Sequence, residues 1–145
     1  MKRFEFSLER VRRWRSEQAS LEELKLRQLI ASRAQLEGAR RQAEAQGRRA
    51  ADQVLSQASL EASELHHLDA YRLHIHRLVT DLDNRTRQCE AQIAKQRQRV
   101  IEARRQYELL DRLRTTALAE WRAANNKEQE DLAAELFLAK SRRNT

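Results

Sequence analysis

The chain has 145 residues and not one is proline; only two are glycine, Gly38 and Gly47. A strand-rich fold needs Gly, Pro, Asn and Asp to turn its strands, so their scarcity argues against sheets and barrels. With no glycine cluster there is no loop to cradle a phosphate. Cys89 is the only cysteine, which excludes an intrachain disulfide. Aromatic residues make up 5% of the chain, too dilute for a compact core. No apolar run approaches the roughly 20 residues of a membrane span. Behind Met1-Lys2-Arg3-Phe4-Glu5-Phe6 there is no apolar stretch and no cleavage motif. These features place the protein, as an expectation, in the cytoplasm.

What remains is Ala, Leu, Arg, Glu and Gln, all good helix formers. Charged residues reach 35% and the net charge is +7, with Arg far ahead of Lys. This bias marks long helices or coiled coils. A seam between two helices tolerates such a sequence where a globular core does not. The positive charge implies affinity for acidic surfaces without saying of what kind.

Apolar spacing gives the architecture. With a heptad position a set at Val79, the a positions are Val79, Thr86, Ile93, Val100, Tyr107, Arg114 and Trp121. The d positions are Leu82, Cys89, Gln96, Ala103, Leu110, Ala117 and Ala124. No bulky apolar residue falls at f. A period of 3.5 held over this length is a coiled-coil signal with left-handed supercoil. Run backwards, the pattern passes through Ile75, Leu68 and Leu65.

The first half is less regular. Phe4, Leu8 and Val11 mark a stripe with Trp14 beside it, continued by Leu21, Leu24, Leu29, Leu36, Ala39, Ala43, Ala50 and Val54. Ser7 is placed to cap the first helix, with Phe6 and Val11 as a hydrophobic staple. The Ser-rich run 56–63 reads as a turn, and Ser63 as the cap of a second helix.

The expected fold is all-α: one coiled-coil domain over 1–145, two long helices in an antiparallel hairpin. Helix 1 is expected over about 7–55, the tip at about 56–65 and helix 2 over about 66–140. Asn125-Asn126 marks a weak spot, after which Leu132, Leu136 and Phe137 leave the heptad phase. Parallel dimerisation through the 79–124 seam would produce a similar pattern.

Few residues carry chemistry. His66, His67, His74 and His76 lie close in sequence, yet none is three or four from another, the spacing that shares a helix face. Solvated or partner-facing histidines are the simpler reading. Cys89, at d, reads as a buried thiol rather than a nucleophile. A two-helix surface lacks the concavity that excludes water from an active site. No enzyme activity, cofactor, metal or small-molecule substrate is therefore expected. Arg clusters at Arg10/Arg12/Arg13/Arg15, Arg40/Arg41, Arg48/Arg49 and Arg104/Arg105 are interleaved with carboxylates and lack a base-stacking platform. Nucleic acid is not the expected partner.

Two apolar sets stand out as interaction candidates. Tyr71, Ile75, Leu78 and Leu82 form a helical stripe near the tip, wider than one seam needs. Trp14 and Trp121 lie where the two termini meet in an antiparallel hairpin.

Phe4-Glu5-Phe6-Ser7-Leu8-Glu9-Arg10-Val11, followed by an Arg-rich helix, resembles the opening of the flagellar FliJ proteins. Tyr107-Glu108-Leu109-Leu110-Asp111-Arg112-Leu113 and Glu128-Gln129-Glu130-Asp131-Leu132-Ala133 are similar to that family's C-terminal helix. Asp131-Leu132 departs from the commoner Leu-Asp-Glu, which puts the C-terminal register in doubt. The resemblance implies a coiled-coil component of the flagellar type III export apparatus, similar to the rotor stalk of rotary ATPases. Its implied partners are a hexameric export ATPase, the cytoplasmic domain of the export gate and export chaperones. Its implied location is the inner face of the cell membrane, held there through the apparatus. By that resemblance Phe4, Phe6, Leu8, Val11, Trp14 and Trp121 face the ATPase ring, and Tyr71, Ile75, Leu78 and Leu82 face the gate. Two alternatives stay open: the equivalent stalk of a virulence injectisome, and a free-standing basic coiled coil binding nucleic acid or acidic membrane.

Overall fold

A computed structural model describes residues 2–144. They form two helices and no strand: α1, Glu9–Leu55, and α2, Ala62–Arg143. The absence of proline lets each run without a break, for 47 and 82 residues. The two helices make an all-α hairpin whose contacts resolve into two units. Unit 1 combines Met1–Leu21 with Ile101–Thr145; unit 2 is Glu22–Val100.

Unit 2 holds the connection and most of the buried apolar residues. Its pairing is antiparallel: Gln96 meets Glu22, Cys89 meets Leu29 and Asp83 meets Arg40, so rising numbers on α1 meet falling numbers on α2. Leu68, Leu82, Cys89, Ile93, Gln96 and Val100 are buried on α2. From Val79 to Val100 they fall on the a and d positions expected, so the heptad reading holds through this unit. Nearer the connection the rhythm changes. Tyr71, Ile75 and Val79 are partly buried at two successive steps of four, while Leu65 is 40% exposed. A second step of four rotates the seam away from a strict 3.5 repeat.

Unit 1 is antiparallel too, with Arg12 beside Tyr107 and Asp111, and Phe4 beside Trp121. Here the a and d positions of α2 up to Trp121 are only partly buried, and Ala124 is exposed while Asn125 is not.

The α1 side of the seam agrees with expectation at Leu29, Leu36, Ala43, Ala50 and Val54 and differs elsewhere, Ala39 among others being exposed. Its inward line is Arg12, Arg15 and Ala19 in unit 1. In unit 2 it runs through Glu22, Leu26, Leu29, Arg33, Leu36, Arg40, Ala43, Gly47, Ala50 and Val54, at alternating steps of three and four. Leu8, Val11, Trp14, Leu21 and Leu24, expected on a buried stripe, are exposed. Long Arg and Glu stems cover apolar surface while their heads reach carboxylates or water, so the line is hidden from a count of apolar residues.

The ends also shift. α1 begins at Glu9 rather than at about residue 7. The Leu8 carbonyl accepts the first intrahelical bond from the Arg12 N–H at 2.9 Å, so Leu8, not Ser7, holds the capping position. A tight turn donates the Glu9 N–H to the Phe6 carbonyl at 3.1 Å. The connection occupies 56–61, shorter than the expected 56–65. The Glu61 carbonyl accepts from the Glu64 and Leu65 N–H groups, which starts α2 four residues early and puts Ser63 inside the helix. Asn125-Asn126 lies within α2, which runs on to Arg143. Asn is only a mediocre helix former, and two residues of modest propensity do not stop a helix.

The glycines separate helix propensity from packing. A methyl group at Gly38 would meet nothing within 4 Å; at Gly47 it would stand 3.2 Å from Ile75 Cγ2. Glycine inside a helix costs roughly 1 kcal/mol relative to alanine. Gly38→Ala is therefore expected to stabilise the protein by about that amount in urea unfolding. Gly47→Ala should gain clearly less, because Ile75 must yield. Equal gains at both sites would show that the Gly47–Ile75 approach carries no constraint.

Candidate functional site

The surfaces available for recognition follow from what the seam leaves uncovered. In unit 1, Phe4 packs on Trp121, ring centres 6.0 Å apart and planes inclined at 59°. Phe6 is partly buried and lines a shallow hollow with Phe4, Glu5, Glu9, Arg13 and Arg114. The structure thus brings Phe4, Phe6 and Trp121 together. Leu8 and Val11 stay exposed, and Trp14 is 49% exposed with the Arg15 guanidinium 4.7 Å from its ring centre. An Arg over an indole face is a cation–π contact, and it covers part of one face of the ring.

A charged clasp sits beside this aromatic end. Arg12 reaches Glu9 at 2.9 Å within α1, and across to Asp111 at 3.2 Å and the Tyr107 hydroxyl at 3.1 Å. Arg114 reaches Glu9 from α2 at 3.5 Å. The Arg12 hydrogen bond, with the Arg12 and Arg114 charges and a further hydrogen bond from Arg13, holds the Glu9 carboxyl below its ordinary range against the opposing effect of desolvation. The same Glu9 bond raises Arg12. A clasp of this kind fixes register more than it adds stability, since exposed ion pairs contribute about 0–1 kcal/mol each.

In unit 2 the residues expected on one tip-proximal stripe separate. Leu82 is buried in the seam, 7% exposed, so it cannot touch a partner. Ile75 lies against Gly47, and Tyr71 shares a hollow with Ala50, Val54 and Leu68; both are partly buried. Leu78 stands at the surface; Leu73, 49% exposed, lies on a different face of α2. The stripe is mostly seam, and its accessible remnant is the outer edge of Tyr71 together with Leu78.

The His66 and His67 rings are 6.4 Å apart, and Tyr71 lies against His74. Among the described residues, no three His, Cys, Asp or Glu side chains stand close enough to hold a metal ion. Cys89 is buried, its thiol directed at the Leu29 carbonyl at 3.3 Å. No helix is long and apolar enough to cross a membrane among the described residues.

One polar seam position escaped a functional reading. Gln96 is buried, and its amide donates to the Glu22 carbonyl at 2.9 Å and to the Glu22 carboxylate. That bond is the main reason the Glu22 carboxyl lies below its ordinary range; burial opposes it, and Lys25 and Arg99 assist. Its signal was a polar residue at d in an otherwise apolar run. Comparison with protein-family models, characterised proteins and solved structures finds no match to this chain.

Glu9 and Glu22 set the expected acid response. Both are depressed in the folded state, so their stabilising contribution is complete above the unfolded value near 4.5 and is lost as pH falls through the folded values. The urea midpoint should be flat from pH 7 to 5 and fall below about 4.5. Gln96→Leu removes the bond that depresses Glu22, so it should lower stability at pH 7 by about 1 kcal/mol and make the acid-side fall shallower. A fall as steep as in the parent protein would remove Glu22 from the acid response.

Proposed function

We propose that the protein is a coiled-coil stalk of the flagellar type III export apparatus, coupling a hexameric export ATPase to the export gate. The observation that supports this best is the antiparallel pairing at the terminal end. It sets Phe4 on Trp121 and leaves Leu8, Val11 and Trp14 exposed beside an Arg-rich first turn. Of these, Phe4, Leu8 and Val11 belong to the opening through which the sequence resembles the FliJ proteins. An apolar cluster ringed by guanidinium groups suits an acidic, partly apolar ring lumen.

In this reading the catalytic chemistry belongs to the ATPase, and the stalk binds no nucleotide. Its task is mechanical: a seam in which each turn is braced by the next carries orientation from one assembly to another. The Arg12–Glu9–Arg114 clasp would keep the two termini in register during that contact. The protein would sit at the inner face of the membrane through its partners, and Leu78 with the edge of Tyr71 would offer the gate-facing contact. Export chaperones would be further partners. The injectisome stalk shares this physical logic and differs in the identity of the ATPase.

The test is a pull-down with the cognate export ATPase and the gate's cytoplasmic domain, at low and high salt. Val11→Ala with Trp14→Ala is expected to weaken ATPase capture about tenfold or more, as loss of an aromatic anchor does, with helicity unchanged. Tyr71→Ala with Leu78→Ala should weaken gate capture and leave the ATPase contact intact. Capture of neither partner by the parent protein, or tight salt-sensitive retention on DNA or anionic vesicles instead, would overturn the reading.

A further inference from the structure

Unit 1 leaves two apolar features uncovered, and they match each other. The first is a groove of about 550 Å³ between the helices. Val11 forms one wall, Leu109, Leu110, Leu113 and Thr116 the other, and Arg15 and Arg112 stand at its rims; no carboxylate lines it. Leu109, Leu113 and Thr116 recur at the spacing that aligns side chains along one helix face, so the trough runs lengthwise and suits another helix.

The second feature is the end of α2. Every described residue beyond Asn125 is exposed, and Leu136 and Phe137 are 71% and 72% accessible. Leu132 and Leu136 are one turn apart and make a ridge. Glu128, Asp131 and Glu135 fall along one edge of that ridge by helical spacing. The groove is an apolar trough with basic rims; the tail is an apolar ridge with an acidic edge. The two agree in shape, polarity and charge sign.

The tail cannot fill the groove of its own chain. Leu132 lies 23 residues beyond Leu109 on one unbroken helix, about 35 Å along its axis at 1.5 Å per residue. We propose that the tail of α2, 128–139, docks in the Val11/Leu109/Leu113 groove of a second copy of this chain. Donor and acceptor are different surfaces, so the contact is head-to-tail. Each bound copy keeps one groove or one tail free, and association continues with concentration. Arg15 and Arg112 against the acidic edge make it weaken with salt, while the leucine ridge keeps part of it. This inference stands apart from the export reading and requires neither ATPase nor gate.

The experiment is sedimentation equilibrium of the full chain over a wide concentration range, with two variants. Leu132→Asp with Leu136→Asp spoils the tail; Leu113→Asp spoils the groove. These leucines are at least half exposed, so both folds should survive, as circular dichroism will verify. Each variant alone is expected to associate at least about tenfold more weakly than the parent, the scale of losing an apolar anchor. Mixed in equal amounts, they should form a heterodimer that does not grow, because only one intact tail and one intact groove remain. Arg112→Glu should weaken association, and Glu135→Arg in the same chain should restore part of it. A parent protein that stays monomeric throughout overturns the proposal. So does association unaffected by either variant, or a mixture that remains monomeric.

Discussion

Two helices that pack only on each other can cover a strip of each surface and no more. That limit governs this protein: among the described residues no side chain is completely sealed from solvent, and the best-buried apolar groups, Ala43 and Ile93, are each 3% exposed. Each leucine or valine in such a strip contributes part of the 1.5–3 kcal/mol, roughly, that full burial would give. Small increments repeated along the seam replace a core. Specificity must then come from groups that tolerate water at the seam's edge, which explains the Arg and Glu side chains on α1.

The polar groups on the seam fall into two kinds. Arg33 to Glu90 at 3.5 Å and Arg40 to Asp83 at 2.8 Å are partly exposed and contribute little to stability. They discourage other registers, because a slip by one heptad would separate both pairs. Gln96 differs, being buried and bound to the backbone and carboxylate of Glu22. A buried amide tied to one partner penalises any pairing that leaves it unsatisfied, and a polar a or d residue is a known means of fixing register. Antiparallel pairing within unit 2 follows from these contacts together, whereas the heptad alone left a parallel dimer open.

Legibility in the sequence tracked how apolar each strand of the seam is. The α2 side, from Val79 to Val100, was legible because Val, Leu and Ile recur at a and d and the polar exceptions are few. The α1 side was legible only in part: Leu29, Leu36, Ala43, Ala50 and Val54 lie on the inward line as expected, whereas Arg, Glu and Gly fill other inward positions and Leu8, Val11, Leu21 and Leu24 are exposed. Hydrophobicity ranks residues by their heads, and a seam of this kind uses the stems. The connection was placed but drawn too long, since Ser63 looked like a cap and the Glu61 carbonyl performs that role instead. Of the residues read as candidate surfaces, Phe4 and Trp121 come together in unit 1, while Ile75 and Leu82 pack into the seam and leave Leu78 at the surface.

An apolar side chain left in water on a two-helix protein has a direct physical consequence. Trp14, Leu109, Leu113, Leu132, Leu136 and Phe137 all lie in unit 1, about half exposed or more. Covering them costs no rearrangement of the seam, since none holds it together. Unit 2 contrasts with this: its Leu68, Leu82, Ile93 and Val100 are committed to the hairpin and would have to separate before binding anything else. The best-buried groups belong to residues 22–100, although Leu24, Ile30 and Leu73 stay exposed there too; in the terminal unit Leu132, Leu136 and Phe137 are uncovered. A partner that engages unit 1 can add binding energy without unfolding anything, which is the condition for a reversible contact that is made and broken repeatedly.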